Sequence, residues 1–318
     1  MPAASRSASG PAQTVLAAKI ARRYYIDGIS KRDIADELGL SRFKVARTLE
    51  RALSSGLVRI ELHYDGDIDL DLSVELSAKL GIGRCLVVDS AEEDEVILRA
   101  NLGRVAAGLL EEVVESDDVL GLSWSRTLLA MRAFLRDMAP CDVVQLSGAL
   151  PRPDVDESSV DLVRDVARAA GGSAYYFYAP MIVPEAETAR SLRVQPEVAQ
   201  AIARFDELTK AIVTIGAWKP GQSTVVDAIT ADDYKEARAA GVVCEIAGMQ
   251  LSADGSAVNT PLGERVIGIE VEQLRRVPEI IAIAYGNEKA AAVTAAVRGG
   301  LITTLITNGS LARELLAS

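Results

Sequence analysis

Short apolar runs alternate with longer amphipathic windows along most of the chain after residue 80. This alternation limits the fold more than any other feature of the sequence, because it predicts a mostly parallel sheet covered by helices, an α/β architecture. The strand-like runs are Cys85–Val88, Val119–Ser123, Val143–Ser147, Tyr175–Tyr178, Ala211–Ala217, Val242–Ile246, Val266–Val271, Ile280–Tyr285 and Leu301–Thr307. The main helical windows are Glu93–Glu115, Arg126–Met138, Ser158–Ala170, Ala231–Ala240, Glu288–Val297 and Ser310–Leu316.

Glycines stand at or near the ends of several of these runs, as at Gly121, Gly148, Gly216, Gly286 and Gly309. Open α/β sheets bind ligands outside the carboxyl ends of their strands, where helix N-termini offer free N–H groups to anions. The segments Gly121–Thr127 and Thr307–Ser310 are the best candidates for such anion cradles. Each glycine taken alone is equally well explained as an ordinary loop residue.

Lys289 follows a strand-end glycine by three residues and stands where a helix begins. A lysine there could hold an anionic ligand or form a Schiff base, or it could simply be solvated. The only histidine is His63, so the sequence contains no Ser/His/Asp or Cys/His constellation. We therefore predict no catalytic residue, no metal and no cofactor, and we interpret the three cysteines as buried apolar residues.

Charge is divided unevenly along the chain. Residues 1–60 hold 11 Lys and Arg against 5 Asp and Glu, whereas residues 61–318 hold 23 against 40. A basic end on an acidic body is typical of a nucleic-acid-binding module joined to another domain, although it is also compatible with a merely solvated surface.

The first sixty residues have the pattern of three helices. Residues Gln13–Asp27 are helix-permissive, and Ser30 with Asp33 forms a capping box for a second helix that Gly39 ends. Ser41 can cap a third helix that Gly56 ends, and Leu57–Leu62 then alternates as a strand, the start of a wing. Helix, short glycine turn, helix is the spacing of a helix-turn-helix.

The third helix separates apolar from basic residues. At about 100° per residue, Val45, Leu49, Ala52 and Leu53 share one side, and Lys44, Arg47 and Arg51 share the other, with Phe43 beside them. Arg42 falls on the apolar side by angle but can swing out past the helix end. A recognition helix needs this division, so the sequence predicts DNA contacts from Arg42, Phe43, Lys44, Arg47 and Arg51. The alternative is a small helical bundle with a solvated basic face.

The sequence resembles the SorC family of bacterial transcription regulators from about residue 13 to residue 318. The resemblance rests on the following residues: Tyr24-Tyr25, Gly28, Ser30, Ile34-Ala35, Ser41-Arg42, Val45, Gly56, Val58, Ile60, Gly121, Trp124, Thr127, Val144-Gln145, Gly148, Ala179-Pro180, Gly286, Lys289 and Leu305-Ile306-Thr307. It implies a helix-turn-helix followed by an effector domain similar to ribose-5-phosphate isomerase and glucosamine-6-phosphate deaminase, usually without their activity. It also implies a sugar or polyol effector, commonly phosphorylated, and a dimer or tetramer on a palindromic operator.

Residue by residue, the resemblance implies that the loop Ser123–Thr127 holds a phosphate and that Lys289 faces the ligand. It implies that Gln145 and Gly148 line the pocket. The sequence has Thr307-Asn308-Gly309 where the family usually has Thr-Asp followed by an acidic residue, and the change from a carboxylate to an amide puts the usual sugar specificity in doubt. It also has Glu245 where the family often has Asp. The full set of predicted effector residues is Gly121, Ser123, Trp124, Ser125, Thr127, Gln145, Gly148, Glu245, Lys289 and Asn308.

These arguments divide the chain into a disordered arm (residues 1–12), a helix-turn-helix domain (residues 13–65) and an effector-binding and oligomerisation domain (residues 66–318). They predict a cytoplasmic bacterial regulator, nucleoid-associated when bound to double-stranded DNA, with no membrane partner. Its operator binding would respond to a carbohydrate effector and would control carbohydrate catabolism. The alternative is a sugar-phosphate isomerase or deaminase with a fused helical domain.

Overall fold

A computed structural model of the chain describes residues 10–59, 68–89, 94–150 and 158–318. These residues belong to two compact units, Met1–His63 and Tyr64–Ser318. His63 and residues 60–62 of the predicted wing strand lie outside the described residues. Among the described residues, no helix has both the length and the apolar character required to cross a membrane.

Three helices form the N-terminal unit: α1 (Pro11–Tyr25), α2 (Lys31–Leu38) and α3 (Arg42–Ser54). Helix α1 starts at Pro11, inside the segment predicted to be disordered, because proline is well suited to the first helical position. The three helices enclose a small core that includes Ile20, Ile34 and Val45. Residues 57–59 are not a strand.

The second unit, which we call the body, contains ten strands and eleven α-helices in its described residues. The strands are β1 (Ile68–Asp69), β2 (Arg84–Val88), β3 (Val119–Leu122), β4 (Asp142–Gln145), β5 (Ala174–Tyr175), β6 (Lys210–Ala217), β7 (Cys244–Ile246), β8 (Met249–Leu251), β9 (Glu279–Ile283) and β10 (Thr304–Asn308). The helices are α4 (Leu70–Leu80), α5 (Glu95–Val113), α6 (Arg126–Arg132), α7 (Ser159–Ala170), α8 (Ala186–Arg193), α9 (Pro196–Ala203), α10 (Ala231–Ala239), α11 (Pro261–Glu264), α12 (Val271–Arg275), α13 (Ala290–Arg298) and α14 (Gly309–Ala317).

The strands form one sheet in the order β1-β2-β10-β9-β6-β3-β4-β5, and β7 and β8 continue from β6. Every pair along the main path is parallel except β1 with β2, whereas β7 pairs antiparallel with both β6 and β8. The predicted α/β class with a mostly parallel sheet is confirmed.

Alternate residues of the central strands point to opposite faces, and each face has its own apolar core. Val213 and Leu305 face a core with residues of α4, α13 and α14. Ile212 and Ile306 face a second core with residues of α5, α6 and α7. Burial on both faces explains why the sequence shows continuous apolar runs rather than alternation.

The predicted elements differ from the structure in three places. The run Val266–Val271 is a buried connector with isolated bridges, because Ile267 and Ile269 fill apolar cores without continuous strand pairing. The helix predicted over Arg126–Met138 ends at Arg132. The predicted strands and main helical windows do not include β1 and α4, which belong to the body, and Leu76 of α4 is fully buried there.

Candidate functional site

Helix α3 of the N-terminal unit has one buried face and one exposed basic face. Val45, Leu49 and Ala52 are at most 3% exposed. Leu53, which the sequence placed on the same side, is 42% exposed at the end of the helix. All five predicted DNA contacts are exposed: Arg42, Phe43, Lys44, Arg47 and Arg51.

Local capping fixes the angle between α2 and α3. Gly39 ends α2 in the left-handed region, with φ of 62°, a conformation that glycine adopts without strain. Ser41 then caps α3, its Oγ accepting a hydrogen bond from the N–H of Lys44 at 3.2 Å. The three residues between the helices, Gly39, Leu40 and Ser41, therefore form a tight, defined turn.

A cleft of about 270 Å³ opens in the body at the carboxyl ends of β3, β6 and β9. Residues from α5 and from the loop after β6 complete it. Its lining residues are Glu95, Arg99, Ser125, Arg126, Thr127, Thr214, Ile215, Gly216, Gly221, Gln222, Ser223, Thr224, Asp227, Glu245, Ile283, Tyr285, Gly286, Glu288 and Lys289. We call it the strand-end cleft.

A charged network surrounds Tyr285 on one side of the strand-end cleft. Nε of Arg99 donates to the hydroxyl of Tyr285 at 3.0 Å, and that hydroxyl donates to Glu95 at 3.1 Å. Arg99 also pairs with Glu95 at 2.5 Å. Nζ of Lys289 lies 4.9 Å from the centroid of the Tyr285 ring, within the range of a cation–π attraction. The Tyr285 ring thus connects two cations of the cleft.

Glu245 is a buried carboxyl group that the sheet places in the cleft. Its oxygens accept hydrogen bonds from the hydroxyl of Ser223 at 2.9 Å and from the N–H of Gly248 at 3.2 Å. Gly216, its partner on β6, leaves room for it, because a Cβ there would lie 2.2 Å from a Glu245 oxygen.

Burial shifts the pKa values of Glu245 and Lys289 in the directions that favour the neutral form of each group. It raises the pKa of Glu245, although the bonds from Ser223 and Gly248 act in the opposite direction. It lowers the pKa of Lys289, although attraction to Glu245 and Glu95 acts in the opposite direction. Lys289 forms no ion pair with any residue that the structure describes. A ligand in the cleft can therefore supply hydrogen-bond partners that burial has taken from both groups.

A small chamber of about 20 Å³ shares Thr214, Thr224 and Glu245 with the cleft. Ser123, Trp124, Ser147 and Gly148 also line it. The hydroxyls of Ser123 and Ser147 are buried and have no hydrogen-bond partner within the described part of the chain. The chamber has about the volume of one water molecule.

Residues 66–317 match the protein family described as "Putative sugar-binding domain". The sorbitol operon regulator of Klebsiella pneumoniae is 26% identical over 315 residues, covering 95% of this chain and 97% of the relative. The crystal structure of the full-length sorbitol operon regulator SorC from Klebsiella pneumoniae superposes with a TM-score of 0.72 at 25% identity, covering 96% of this chain and 99% of the other. The chain belongs to the SorC family.

A further relative is a transcriptional regulator named LsrR from Enterobacter sp. (strain 638), which is 29% identical over 309 residues and covers 95% of this chain and 93% of the relative. These relatives are regulators throughout, so this SorC-family chain is a transcriptional regulator with a sugar-binding domain. The same comparisons support the regulator and not the alternative of a sugar-phosphate isomerase or deaminase.

The structure brings seven of the ten predicted effector residues of this SorC-family chain to the cleft or its chamber. Ser125, Thr127 and Lys289 line the cleft, and Ser123, Trp124 and Gly148 line the chamber. Glu245 borders both.

Gln145 does not line either cavity and is engaged in packing. Its amide nitrogen donates to the carbonyl of Ser147 at 2.7 Å and to the hydroxyl of Ser159 at 3.1 Å. Its amide oxygen accepts from the N–H of Phe177 at 3.1 Å. The side chain is fully buried, so its hydrogen bonds join β4 to its neighbours and are not offered to a ligand.

Gly121 and Asn308 also lie away from the cleft. A Cβ at Gly121 would lie 2.7 Å from the side chain of Leu146, so this glycine serves packing. The Asn308 amide accepts from the N–H of Gly286 at 3.3 Å and donates to Ser310 at 3.1 Å. Asn308 therefore ties the end of β10 to the loop after β9, and the predicted cradle Thr307–Ser310 does not line the cleft.

The sequence patterns did not predict that Glu95, Arg99 and the loop Gly221–Thr224 line the cleft. The loop had a local signal, since Gly221, Ser223 and Thr224 are small residues that closely follow the longest strand. Arg99 had none, because it reaches Tyr285 from 186 positions away in the chain. Among the described residues, no group of three His, Cys, Asp or Glu side chains is arranged to hold a metal ion.

Proposed function

We propose that residues 13–65 form a helix-turn-helix that binds operator DNA and that a phosphorylated sugar or polyol in the strand-end cleft controls this binding. The regulated genes would serve carbohydrate catabolism. The body would have a fold similar to ribose-5-phosphate isomerase and glucosamine-6-phosphate deaminase. The protein would act as a dimer or tetramer on a palindromic operator. The names of the relatives, a sorbitol operon regulator among them, support the carbohydrate part of the proposal.

The exposed basic face of α3 supports the DNA part. Its arginines can take guanine bidentately or hold phosphates, and Lys44 can hold a phosphate. No ion pair within the described residues involves Arg42, Lys44, Arg47 or Arg51. Because the body is acidic, contact with DNA is favourable only through a separate basic unit of this kind.

Lys289 is the observation that carries the effector part. A half-buried amine without an ion-pair partner among the described residues is suited to bind an acceptor, and a phosphate or hydroxyl oxygen supplies one. Arg126, which also lines the cleft, adds a third cation to Lys289 and Arg99. Glu245, shifted toward its protonated form, can donate to a sugar hydroxyl on the other side.

A thermal-shift screen of the full-length protein tests the effector. The screen compares the midpoints of thermal unfolding with sugar phosphates, polyol phosphates and their unphosphorylated parents. A ligand at 100 times its Kd stabilises the fold by about 2.7 kcal/mol and so raises the midpoint. Lys289→Ala should abolish the shift, whereas Lys235→Ala, an exposed lysine on α10, should keep it.

If only unphosphorylated polyols raise the midpoint of thermal unfolding, the proposal that the effector is phosphorylated is wrong. No shift with any carbohydrate would contradict the effector site itself. Loss of the shift in both lysine variants would show a general charge effect and not a contact from Lys289.

A further inference from the structure

Phe43 is 84% exposed, the most exposed large apolar side chain among the described residues. It is the second residue of α3 and takes no part in the core of the three helices. Single exposed apolar side chains are common on protein surfaces, so its exposure has meaning only through its position.

That position is the edge of the basic face, in the first turn of α3. Phe43 and Arg47 are four residues apart on α3, one turn along the same side of the helix. Val45 and Leu49, which hold α3 to its unit, are buried on the other side. An aromatic ring is therefore presented to solvent together with Arg42, Lys44 and Arg47.

The first turn that carries Phe43 is well defined. The Ser41 cap binds the N–H of Lys44, and the carbonyl of Ser41 accepts from Val45 at 3.1 Å. The ring has only two rotatable bonds, so little conformational entropy is lost when it is buried against a partner. In a recognition helix, N-terminal residues of this kind reach the base edges.

We propose that Phe43 reads thymine by packing its ring against the C5-methyl group in the major groove. This inference rests on the proposed DNA binding and adds a sequence preference to it. In unmodified DNA, thymine alone presents a methyl group in the major groove, and an apolar side chain is the group that recognises it. The flanking cations would hold the phosphates on either side and keep the ring at the groove floor.

A membrane surface is a poorer partner for this face. Interfacial helices bury a broad apolar face, whereas the exposed face of α3 offers one ring among Arg, Lys and Glu50. The charge and the single ring together fit a nucleic-acid groove.

The experiment uses the full-length protein and a duplex that it selects from a randomised 30-base-pair pool (about three helical turns). Each thymine of the selected duplex is replaced in turn by deoxyuridine, which removes only the methyl group. We expect one position in each half-site where the wild type loses affinity about fourfold, the equivalent of about 0.8 kcal/mol for one buried methyl-sized group. Phe43→Ala should bind the thymine duplex about fourfold or more weakly and should be indifferent to deoxyuridine at that position.

Ile26→Ala is the matched control, because Ile26 is also exposed, at 76%, but lies at the end of α1. It should retain the affinity and the thymine preference of the wild type. The proposal that Phe43 contacts a thymine methyl group is overturned if no deoxyuridine substitution lowers the affinity of the wild type. It is also overturned if Phe43→Ala binds the thymine duplex as tightly as the wild type, or if Phe43→Ala still prefers thymine to deoxyuridine. If the wild type enriches no sequence at all, the proposed DNA binding fails first.

Discussion

At the scale of single residues, burial decides what the charged groups of the cleft can do. Glu245 is 6% exposed and is hydrogen-bonded to a serine and a backbone N–H, and no arginine ion-pairs with it within the described residues. Its charged form is therefore disfavoured, in contrast to Glu95, whose pKa is held below its ordinary value by Arg99 and Tyr285 against the effect of burial. The pKa values of two glutamates in one cleft are thus shifted in opposite directions because their neighbours differ.

The raised pKa of Glu245 predicts a pH dependence of stability. The folded state holds its proton to higher pH than the unfolded state does, so Glu245 makes stability fall as pH rises from the ordinary carboxyl pKa through the raised value. In Glu245→Gln this loss is absent. The difference in Tm between Glu245→Gln and the wild type should shift in favour of the variant across that range, measured without ligand. A difference that does not change with pH would contradict the shifted carboxyl.

Arg47 should contribute directly to DNA affinity. Arg47→Ala should weaken binding to the region upstream of the gene by about 1–3 kcal/mol, with relaxed specificity at one position, if the side chain reads a base. If it holds a phosphate, the loss is uniform across sequences and the salt slope falls by about one. Fluorescence anisotropy measures both, with Lys235→Ala as a charge-matched control in the body. Unchanged affinity of the Arg47 variant would show that α3 is not the recognition helix.

At the scale of elements, close approach of two helices positions the cleft. Helix α5 lies against α6 at Gly103, where a Cβ would be 2.7 Å from the backbone nitrogen of Met131. Helix α6 begins at Arg126, and its cap Ser125 accepts from the N–H of Leu128 at 3.1 Å. The same pair of helices therefore brings Arg99 of α5 and Arg126 of α6 to the cleft.

Two glycines of α5 should respond oppositely to alanine. Gly103→Ala forces α5 and α6 apart and should lower the free energy of unfolding by about 1–3 kcal/mol. Gly108→Ala meets nothing within 4 Å and should raise it by about 0.8–1 kcal/mol, because alanine favours the helix. Denaturant unfolding of both variants measures the two effects. A stabilised Gly103 variant would show that the two helices do not need this close approach.

At the scale of the whole molecule, the two units differ in charge, size and core. The N-terminal unit is basic and has a small apolar core, whereas the body is acidic and has two large cores, one on each face of its sheet. In the proposed function, the basic unit contacts DNA and the acidic body binds the ligand.

We predict a symmetric homo-oligomer, because helix-turn-helix proteins usually pair to match two half-sites of a palindrome. Light scattering of the full-length protein at tens of micromolar measures its mass directly. A mass near 33.8 kDa, that of one chain, would contradict this prediction.

Most of the fold could be predicted from the sequence, because apolar runs, caps and glycines act locally. Ser30 specifies the start of α2, Gly39 and Ser41 specify the turn between α2 and α3, and the two-sided burial of β6 and β10 specifies a covered parallel sheet. The sequence and the family resemblance also predicted Lys289, Glu245 and the Ser123–Thr127 loop as effector residues, and the structure places all of them in the lining of the cleft or its chamber. The apolar run at Val266–Val271 was misleading, because burial alone does not distinguish a strand from a buried connector.

Only the tertiary structure decided which polar groups of that edge face the cleft. Gln145 and Asn308 are polar and stand at strand ends, yet their hydrogen bonds are used within the protein by Phe177 and Gly286. Arg99 reaches the cleft from a helix far away in the chain, and the neutral tendency of Glu245 depends on the atoms that surround it. Periodicity and spacing record where a residue lies along its own element, whereas hydrogen-bond partners and burial depend on the neighbours that packing brings together.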